Sequence, residues 1–383
     1  MERKVKVVEF VTRLEFGGVE AMLLNYLSNF KNPEIFDFHI ITQDINDLDC
    51  IKEFEKIGCK VHIVTHKRKG IFKNVKEIFH IMKTEHFDVV HSHMTMTNFY
   101  VLFMAKMLGV PTRISHSHGS VNDIGFETKI TDFILKKLNK WPANILMSCG
   151  YDAGAFLYGK KAIDRGNVFI VKNAIDLKKF EYNDEIRQAM RNQYGINDGF
   201  CIGQVGRFVT VKNHEFTLRV FKEILKTKPN AKLLLVGDGE LHDEIYNKVN
   251  ELYLNDSVVF TGNVSNTNEL YQAMDVLVLP SFHEGFPVVT VEAQAAGLPC
   301  IISDKVDRSC AMTPGIRFMS IEKEITDWAS VIIRSAENVK AYSGYEALTQ
   351  AGYNIAEESP KLENLYKTGD FKQGVSVGIN GGK

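Results

Sequence analysis

The chain has 383 residues, 45% of them hydrophobic and 24% charged, and a formal net charge of -1. This composition suits an ordinary globular protein of about two domains and gives no general attraction to nucleic acid. The six cysteines include no CxxC pair, so we expect neither a disulfide framework nor a zinc site. Neither a transmembrane run nor a signal peptide is predicted, and we expect a cytoplasmic protein.

In the first half of the chain, short runs rich in β-branched residues alternate with longer segments of helical periodicity. The predicted strands are Val5–Val11, Phe38–Thr42, Lys60–Val64, Val89–His91, Arg113–His116, Asn144–Met147 and Val168–Val171. A helix is predicted over Val19–Phe30, because its apolar residues fall on one face. This alternation is typical of a parallel sheet covered by helices.

A second series of the same kind follows a polar connection at Asn173–Asn183. Its predicted strands are Cys201–Val205, Lys232–Val236, Val258–Thr261, Val276–Pro280 and Pro299–Ser303, and its predicted helices are Asn213–Leu225, Leu241–Leu254, Thr267–Met274 and Val288–Ala296. Two such series predict two doubly wound α/β domains. We place them at residues 1–176 and 177–368, with the last helix free to pack back on the first domain, and expect a flexible tail at 369–383.

The strongest motif runs from His283 to Glu292, directly after a predicted buried strand. Ligands of open parallel sheets bind at the carboxyl ends of strands, so Glu284 should project from that edge. Gly285 permits close backbone approach, and Phe286, Pro287 and Val288 open the next helix, whose first amides lie where an anion such as a diphosphate binds. A carboxylate at Glu292 could accept hydrogen bonds from ribose hydroxyls. Taken alone, the motif could equally be a capping loop followed by a surface glutamate.

A second motif, Val205–Asn213, comes at the end of the first strand of the second series. Arg207 and Lys212 lie five positions apart across a loop, so both cations could converge on one ligand. Two fixed cations would stabilise the charge that develops on a leaving diphosphate without a metal ion. Two solvated surface cations remain the simpler alternative.

The segment Pro-Ser-Phe-His-Glu-Gly-Phe-Pro-Val-Val-Thr-Val-Glu-Ala-Gln-Ala-Ala-Gly-Leu-Pro at 280–299 closely resembles the donor-site motif of the retaining GT-B glycosyltransferases of family 4. The resemblance covers nearly the whole chain and is greatest to bacterial enzymes of capsular and exopolysaccharide synthesis. It implies two Rossmann-like domains facing across a cleft, with the acceptor in the first and a nucleotide sugar, most commonly UDP-linked, in the second. It also implies retention of anomeric configuration and no cofactor beyond the donor substrate.

The resemblance implies roles for individual residues. Glu284 would contact the transferring sugar near its reacting centre, and Glu292 would hold the nucleotide ribose. Arg207 and Lys212 would bind the diphosphate. Val264, in the turn Gly262-Asn263-Val264, would lie beside the base, although the same turn could be a simple strand-to-helix connection.

Two further features lie in the first half. The glycine turn at Gly17 and Gly18 precedes the first predicted helix, and the resemblance implies that it approaches the donor diphosphate. His118 matches a histidine that contacts the donor sugar. His91 and His93 are more simply explained by buried hydrogen bonding than by a metal site, because the spacing suggests no carboxylate or cysteine ligand.

Three segments fit less well. The turn Gly237-Asp238-Gly239 lacks the third glycine of a dinucleotide-binding motif, which argues against an oxidoreductase. Ala174 stands where the family usually has glycine, and residues 304–317 match no motif.

We therefore predict a metal-independent glycosyltransferase that acts on a saccharide or lipid-linked saccharide acceptor. The alternatives are a nucleotide-sugar epimerase of the same fold and a non-catalytic sugar-nucleotide-binding subunit. Thr128–Trp141 predicts an amphipathic helix with lysines beside an apolar stripe, and Lys67, Arg68 and Lys69 form a second basic cluster. Both suggest peripheral contact with an anionic membrane, although the helix could instead pack on its own sheet.

Overall fold

The computed structural model describes residues 3–15, 17–45, 47–119, 129–337 and 343–370. Its contacts divide the chain into two compact units. The first comprises Met1–Ile175 and Ile355–Lys383, and the second comprises Asp176–Asn354. Each unit is built on a parallel sheet with intervening helices, and the predicted α/β class with two doubly wound halves is confirmed. The predicted tail lies outside the described residues from position 371 onwards.

The first unit contains a seven-stranded sheet. Its strands are β1 (Val5–Phe10), β2 (Phe36–Thr42), β3 (Lys60–Ile63), β4 (Val89–Ser92), β5 (Thr112–Ser117), β6 (Ile145–Ser148) and β7 (Phe169–Ile170). Its helices are α1 (Gly18–Ser28), α2 (Leu48–Lys56), α3 (Lys67–Glu85), α4 (Asn98–Met107), α5 (Lys129–Lys140), α6 (Tyr151–Tyr158) and α7 (Lys160–Asp164), together with α16 (Ile355–Thr368) from the end of the chain. The strand order β3-β2-β1-β4-β5-β6-β7 changes direction between β1 and β4.

The second unit contains a six-stranded sheet. Its strands are β8 (Cys201–Val205), β9 (Lys232–Val236), β10 (Val258–Gly262), β11 (Val276–Leu279), β12 (Cys300–Ser303) and β13 (Ile316–Met319). Its helices are α8 (Leu177–Phe180), α9 (Asp184–Gln193), α10 (His214–Leu225), α11 (His242–Glu251), α12 (Thr267–Ala273), α13 (Val288–Ala295), α14 (Ile325–Glu337) and α15 (Tyr345–Gln350). The order β10-β9-β8-β11-β12-β13 changes direction between β8 and β11. Strand β13 was not predicted, and it begins at the end of the segment 304–317 that matched no motif.

The last helix packs within the first unit. The Ser359 hydroxyl donates to the carbonyl of Tyr26 on α1 at 2.8 Å, and the Glu363 carboxylate accepts from the backbone amides of Lys31 and Asn32. The second unit ends at Asn354, so residues 355–368 belong to the first unit, the arrangement that our division allowed for the last helix. The apolar positions of α16 complete the core over α1 and β1.

Burial on both faces explains why the central strands are continuous apolar runs. Leu233, Leu234 and Leu235 of β9 are all fully buried, because helices cover both sides of a doubly wound sheet. Polar side chains within such strands are therefore exceptions that need hydrogen-bond partners. Glu9 of β1, also fully buried, is such an exception.

Candidate active site

Two loops of the second unit lie side by side at the carboxyl edge of its sheet. The amide of Phe282, in the loop after β11, donates to the carbonyl of Val211 at 2.9 Å. Asn213, at the end of the loop after β8, donates from its side chain to the carbonyl of Pro280 at 3.1 Å. Since β8 and β11 flank the point where the strand order reverses, these loops occupy the usual ligand-binding position of an α/β sheet.

The two loops bring Lys212 and Glu284 together. The ammonium group of Lys212 donates to both carboxylate oxygens of Glu284 at 2.9 Å, and the Ser281 hydroxyl donates to one of them. The side chains of the pair are only 15% and 13% exposed. Gln204 of β8 donates to the carbonyl of Lys212 at 2.8 Å, which fixes the loop. The result is a preorganised pair of opposite charges at the sheet edge.

The conformation of Gly206 makes room for the lysine. The φ of Gly206 is 146°, a backbone conformation that residues with a side chain rarely adopt. A Cβ at this position would also lie 3.0 Å from Cε of Lys212. The next residue, Arg207, is exposed, while Phe208 after it is fully buried. Lys212 and Arg207 thus belong to one loop, which Phe208 anchors in the core.

Glu292 lies just over one turn into α13 and is partly buried. The hydroxyl of Tyr271, on α12, donates to Glu292 Oε2 at 2.7 Å. Burial raises the pKa of Glu292, whereas the hydrogen bond from Tyr271 opposes that rise. Tyr271 orients the carboxylate, and sequence reasoning missed it because a tyrosine in an amphipathic helix is usually a core residue.

The segment before α13 presents backbone amides at the same sheet edge. Pro287 is the N-cap of α13 and Val288 is its first residue, so the amides of Val288 and Val289 have no carbonyl partner within the helix, whereas Thr290 donates to the carbonyl of Pro287. The ring of Phe286 stacks on Tyr353 with centroids 5.1 Å apart, and Gly285 is exposed. A helix beginning at this position suits an anion.

The loops after β9 and β10 adjoin the loop that carries Arg207. Gly237 donates from its amide to the carbonyl of Gly262 at 3.1 Å, and Phe208 donates to the carbonyl of Asp238 at 2.9 Å. Val264, two residues beyond β10, is half-buried. The predicted base-contacting residue therefore lies at the same edge of the sheet as the predicted diphosphate ligands.

The segment that matched no motif supports the backbone of Glu284. Val306 forms an isolated parallel bridge with Glu284, and the amide of Asp307 donates to the carbonyl of Glu284 at 3.2 Å. Gln294 of α13 holds the rest of this segment, since its side chain donates to the carbonyl of Cys310 and accepts from the amide of Met312. Residues 304–313 thus fix the loop that carries the candidate catalytic carboxylate.

The carboxyl group of Glu20 lies beside the glycine turn of the first unit. Helix α1 begins at Gly18. The side chain of Glu20 folds back toward Gly17, and a Cβ built on Gly17 would lie 3.0 Å from Glu20 Oε2. Burial raises the pKa of Glu20 to about 7. The turn therefore offers a titrating carboxyl group beside its amides, which the glycine pattern did not reveal.

Four histidines from neighbouring strands lie on one face of the first unit's sheet. The ring nitrogens of His91 and His116 are 3.1 Å apart, and those of His93 and His118 are 2.8 Å apart. His91, His93 and His116 are buried, whereas His118 is partly exposed. Burial lowers the pKa of each, to about 3 for His93 and well below the usual value for the other three. The four imidazoles are therefore neutral at physiological pH.

Glu9 and Tyr366 complete this cluster. Glu9 Oε2 lies 2.9 Å from His93 Nε2, and the Tyr366 hydroxyl lies 2.6 Å from both Glu9 Oε1 and His91 Nδ1. Burial raises the pKa of Glu9 to about 8, and the hydrogen bond with Tyr366 opposes the rise. A glutamate in the apolar run of β1 was the sequence feature that could have revealed the cluster.

The cluster includes a carboxylate, that of Glu9, which the spacing of the histidines in the sequence did not suggest. His91, His93 and His116 each offer a ring nitrogen within 4.8 Å of the others, a separation that a metal ion could bridge. Both nitrogens of His91 and both of His93 already have hydrogen-bond partners, however. These hydrogen bonds occupy both nitrogens of each of the two rings. A metal ion could bind the rings only by displacing the hydrogen bonds.

Comparison with known proteins identifies the chain's family. Residues 186–334 match the model of glycosyl transferases group 1, and residues 19–148 match that of the glycosyl transferase 4-like domain. A Bacillus subtilis chain named as a glycosyltransferase, EpsF, is 32% identical over 372 residues, which cover 94% of this chain and 96% of that one. The UDP-Gal:alpha-D-GlcNAc-diphosphoundecaprenol alpha-1,3-galactosyltransferase of Escherichia coli is 25% identical, with 95% and 97% covered.

Solved structures share the fold. Anabaena HepE, crystallised in complex with UDP, superposes with a TM-score of 0.69 at 16% identity and covers 95% of each chain. A glycosyltransferase from Rickettsia africae has a TM-score of 0.74 at 17% identity, with 96% and 98% covered. With its two doubly wound units, its two matching family models and a relative similar along almost its entire length, this chain belongs to the family 4 (group 1) glycosyltransferases of GT-B fold.

Proposed function

We propose that this glycosyltransferase moves a sugar from a UDP-linked donor to a saccharide or lipid-linked saccharide acceptor, with retention of configuration, in cell-surface polysaccharide synthesis. The second unit binds the nucleotide sugar and the first binds the acceptor. The observation that carries the proposal is the Lys212–Glu284 pair, held between two loops at the point where the sheet order reverses. The E. coli relative's name, with its UDP-galactose donor and diphosphoundecaprenol acceptor, supports these substrate classes.

The chemistry follows from the charges at this edge. Glu284 stabilises positive charge on the sugar as the bond to the diphosphate breaks, and Lys212 with Arg207 stabilises the negative charge on the leaving group. Because Lys212 pairs with Glu284, the carboxylate lies beside the incoming sugar without being an unpaired buried charge. The two cations replace a divalent metal at the diphosphate.

The remaining residues hold the nucleotide. Glu292, oriented by Tyr271, accepts hydrogen bonds from the ribose, and Val264 packs against the base. The backbone N–H groups of Gly285, Phe286 and Val288 bind diphosphate oxygens at the start of α13, where Pro287 is the N-cap. HepE, whose structure contains UDP, supports this choice of nucleotide only through its shared fold.

Transfer assays test the proposal directly. The purified chain is incubated with a panel of UDP-sugars and with sugar-diphosphate lipid acceptors, in excess chelator and with added magnesium or manganese. We expect one donor–acceptor pair to yield product with retained configuration at the new linkage, at the same rate in chelator. Conversion of the donor without an acceptor would support an epimerase instead, and strict dependence on added metal would overturn the role of Arg207 and Lys212.

We further propose that the first unit rests on an anionic membrane through α5 and the start of α3. On α5 and the residue after it, large apolar side chains are exposed to solvent: Phe133 by 59%, Ile134 by 50%, Leu138 by 37% and Trp141 by 60%. Lys137 lies over the ring of Phe133, and Lys106 over that of Trp141, so cations border the apolar surface. Exposed apolar side chains rimmed by lysine are typical of helices that bind at a membrane interface.

A second exposed segment lies close to this one. Phe72 is 90% exposed and follows Arg68 and Lys69, both exposed, at the start of α3. Lys67 of α3 donates to Thr97, and Asn139 of α5 donates to the carbonyl of Met96, so both helices contact the same short segment after β4. Among the helices that the structure describes, none is both long and apolar enough to cross a bilayer.

A further inference from the structure

The buried cluster of the first unit forms one continuous chain of hydrogen bonds. It runs from His116 through His91, Tyr366, Glu9 and His93 to His118, with separations of 3.1, 2.6, 2.6, 2.9 and 2.8 Å between successive polar atoms. Each link contains one hydrogen, because neutral imidazole has one donor and one acceptor nitrogen and a tyrosine hydroxyl donates once. At each imidazole and at the tyrosine hydroxyl, the direction of one link therefore decides the direction of the next.

The buried end of the chain favours one direction. His116 Nε2 is buried and has no hydrogen-bond partner among the described residues. A buried N–H without an acceptor is rarer than an acceptor without a donor. His116 should therefore carry its hydrogen on Nδ1 and donate it to His91, which in turn donates from Nδ1 to the oxygen of Tyr366. The Tyr366 hydroxyl then donates to Glu9 Oε1.

The protonation of Glu9 decides the rest of the chain. When Glu9 carries a proton on Oε2, it donates to His93 Nε2, His93 donates from Nδ1 to His118 Nε2, and His118 carries its hydrogen on Nδ1. When Glu9 is ionised, Oε2 accepts from His93, so the His93–His118 link reverses and His118 Nδ1 loses its hydrogen. Either state leaves every imidazole neutral, in agreement with the lowered pKa values of these histidines.

We propose that Glu9 is a positioning residue that, through His93, sets the tautomer of His118 and so determines whether its outer nitrogen, Nδ1, donates or accepts a hydrogen bond. The proposal rests on the proposed function in one respect: the donor sugar must contact His118, as the resemblance to the family 4 glycosyltransferases implies. With Glu9 protonated, His118 donates to a sugar oxygen. With Glu9 ionised, the same nitrogen can only accept.

The surroundings of Glu9 place this change near neutral pH. The titratable groups that face it are His91 and His93 of β4, Tyr366 of α16 and the Cys59 thiol before β3. No cation faces it among these groups, so burial is the dominant influence and raises the pKa of Glu9 to about 8. The donor form of His118 therefore predominates at pH 7 and gives way to the acceptor form as the pH rises past about 8.

Nitrogen-15 NMR of histidine-labelled protein tests the tautomer without reference to activity. Protonated and unprotonated ring nitrogens have separate chemical shifts. The signals of His118 are identified as those that are absent from the spectrum of His118→Gln. In the parent we expect Nδ1 to be protonated at pH 7 and Nε2 to be protonated instead above a midpoint near pH 8. An unprotonated Nδ1 at pH 7 would overturn the proposal, as would one stoichiometric zinc ion in the purified protein.

Two variants assign the change to Glu9. In Glu9→Gln the side chain cannot ionise, so His118 should keep its hydrogen on Nδ1 to about pH 9.5. The change in kcat/KM for the donor that the parent shows near pH 8 should disappear in this variant. In Tyr366→Phe, the lost hydrogen bond should raise the pKa of Glu9 and move the midpoint upward. Glu77→Gln, at another carboxylate of the first unit, is the matched control and should retain the parent's midpoint. An unaltered midpoint in Glu9→Gln would refute the proposal, whereas a tautomer change without any kinetic change would instead count against sugar contact by His118.

Discussion

Lys212 and Glu284 are 72 positions apart in the chain, yet the lysine ammonium lies 2.9 Å from both oxygens of the glutamate. One residue follows β8 and the other follows β11, the two strands that flank the change of direction in the second sheet. Parallel strands end at the same edge, so this topology brings the two loops together. The pair is the strongest reason to place the chemistry at this edge.

Replacing Glu284 with alanine should abolish most transfer while UDP binding persists. The carboxylate acts on charge that develops on the sugar, and loss of one such electrostatic contact typically costs about 10²–10³-fold in kcat. Steady-state kinetics and calorimetry with UDP measure the two effects separately. Glu244→Ala, an exposed carboxylate on α11, is the control and should behave like the parent. Near-parental turnover in Glu284→Ala would remove this residue from the active site.

Replacing Glu292 with alanine should weaken UDP binding. Hydrogen bonds to a charged group contribute about 1.5–3 kcal/mol, which corresponds to roughly ten- to hundredfold in Kd. Tyr271→Phe removes only the hydroxyl that orients the carboxylate, so its effect should be smaller, about 0.5–1.5 kcal/mol. Calorimetry with UDP checks both, against Glu322→Ala as an exposed control. Parental affinity in Glu292→Ala would contradict the ribose assignment.

Glu9 should make the stability of the protein depend on pH. Its pKa in the folded protein is about 8 against an ordinary value of 4.5. Between these values the folded state holds a proton that the unfolded chain has released, so stability falls as the pH rises, by at most about 1.4 kcal/mol per pH unit. The contribution is fully present below the unfolded pKa and is lost as the pH passes the folded pKa.

Urea unfolding of the parent and of Glu9→Gln at pH 6 and pH 8 measures this effect. The contributions of the buried histidines are common to both proteins and cancel in the difference. The variant should gain stability relative to the parent as the pH rises. A difference that is constant between the two pH values would mean that Glu9 is already ionised at pH 6.

The sequence allowed the sheets and the second unit's loops to be predicted, because these depend on local patterns. Apolar runs and helical periodicity mark strands and helices, and the loops that carry Arg207, Lys212 and Glu284 follow predicted strands directly. The assignment of residues 355–368 was harder, because α16 packs on α1, more than 300 residues earlier in the chain. Nothing in the local pattern of that helix indicates its partner.

The buried cluster shows the same limit at the level of single residues. The histidine pairs were visible as motifs, but Glu9 and Tyr366 are isolated residues within strand and helix patterns. They meet because β1 lies beside β4 and beneath α16, and that adjacency is a property of the sheet order. The supporting role of residues 304–313 was missed for a similar reason, since their contact with Glu284 is made by backbone atoms.

The last prediction is that the protein binds anionic vesicles through α5 and the start of α3. In the segment Thr128–Trp141, residue 128 lies outside the described residues, and the described apolar side chains Phe133, Ile134, Leu138 and Trp141 are exposed to solvent. Each lysine or arginine near an anionic surface contributes roughly 1 kcal/mol, and salt weakens the attraction. Flotation at low and high salt should therefore recover the parent with anionic vesicles only at low salt.

Variants separate the two contributions. Arg68→Ser/Lys69→Ser/Lys137→Ser should reduce flotation through lost charge, and Phe133→Ser/Trp141→Ser through lost apolar contact. Lys67 and Lys140 are left unchanged, because their ammonium groups bond to Thr97 and to the carbonyl of Tyr158, and replacing them would disturb the fold. The controls are Lys178→Ser/Lys179→Ser and Tyr253→Ser, at exposed positions of the second unit. If the parent fails to float, or if both patch variants float as well as it does, membrane contact at this surface is refuted, and a water-soluble acceptor becomes the better substrate to test.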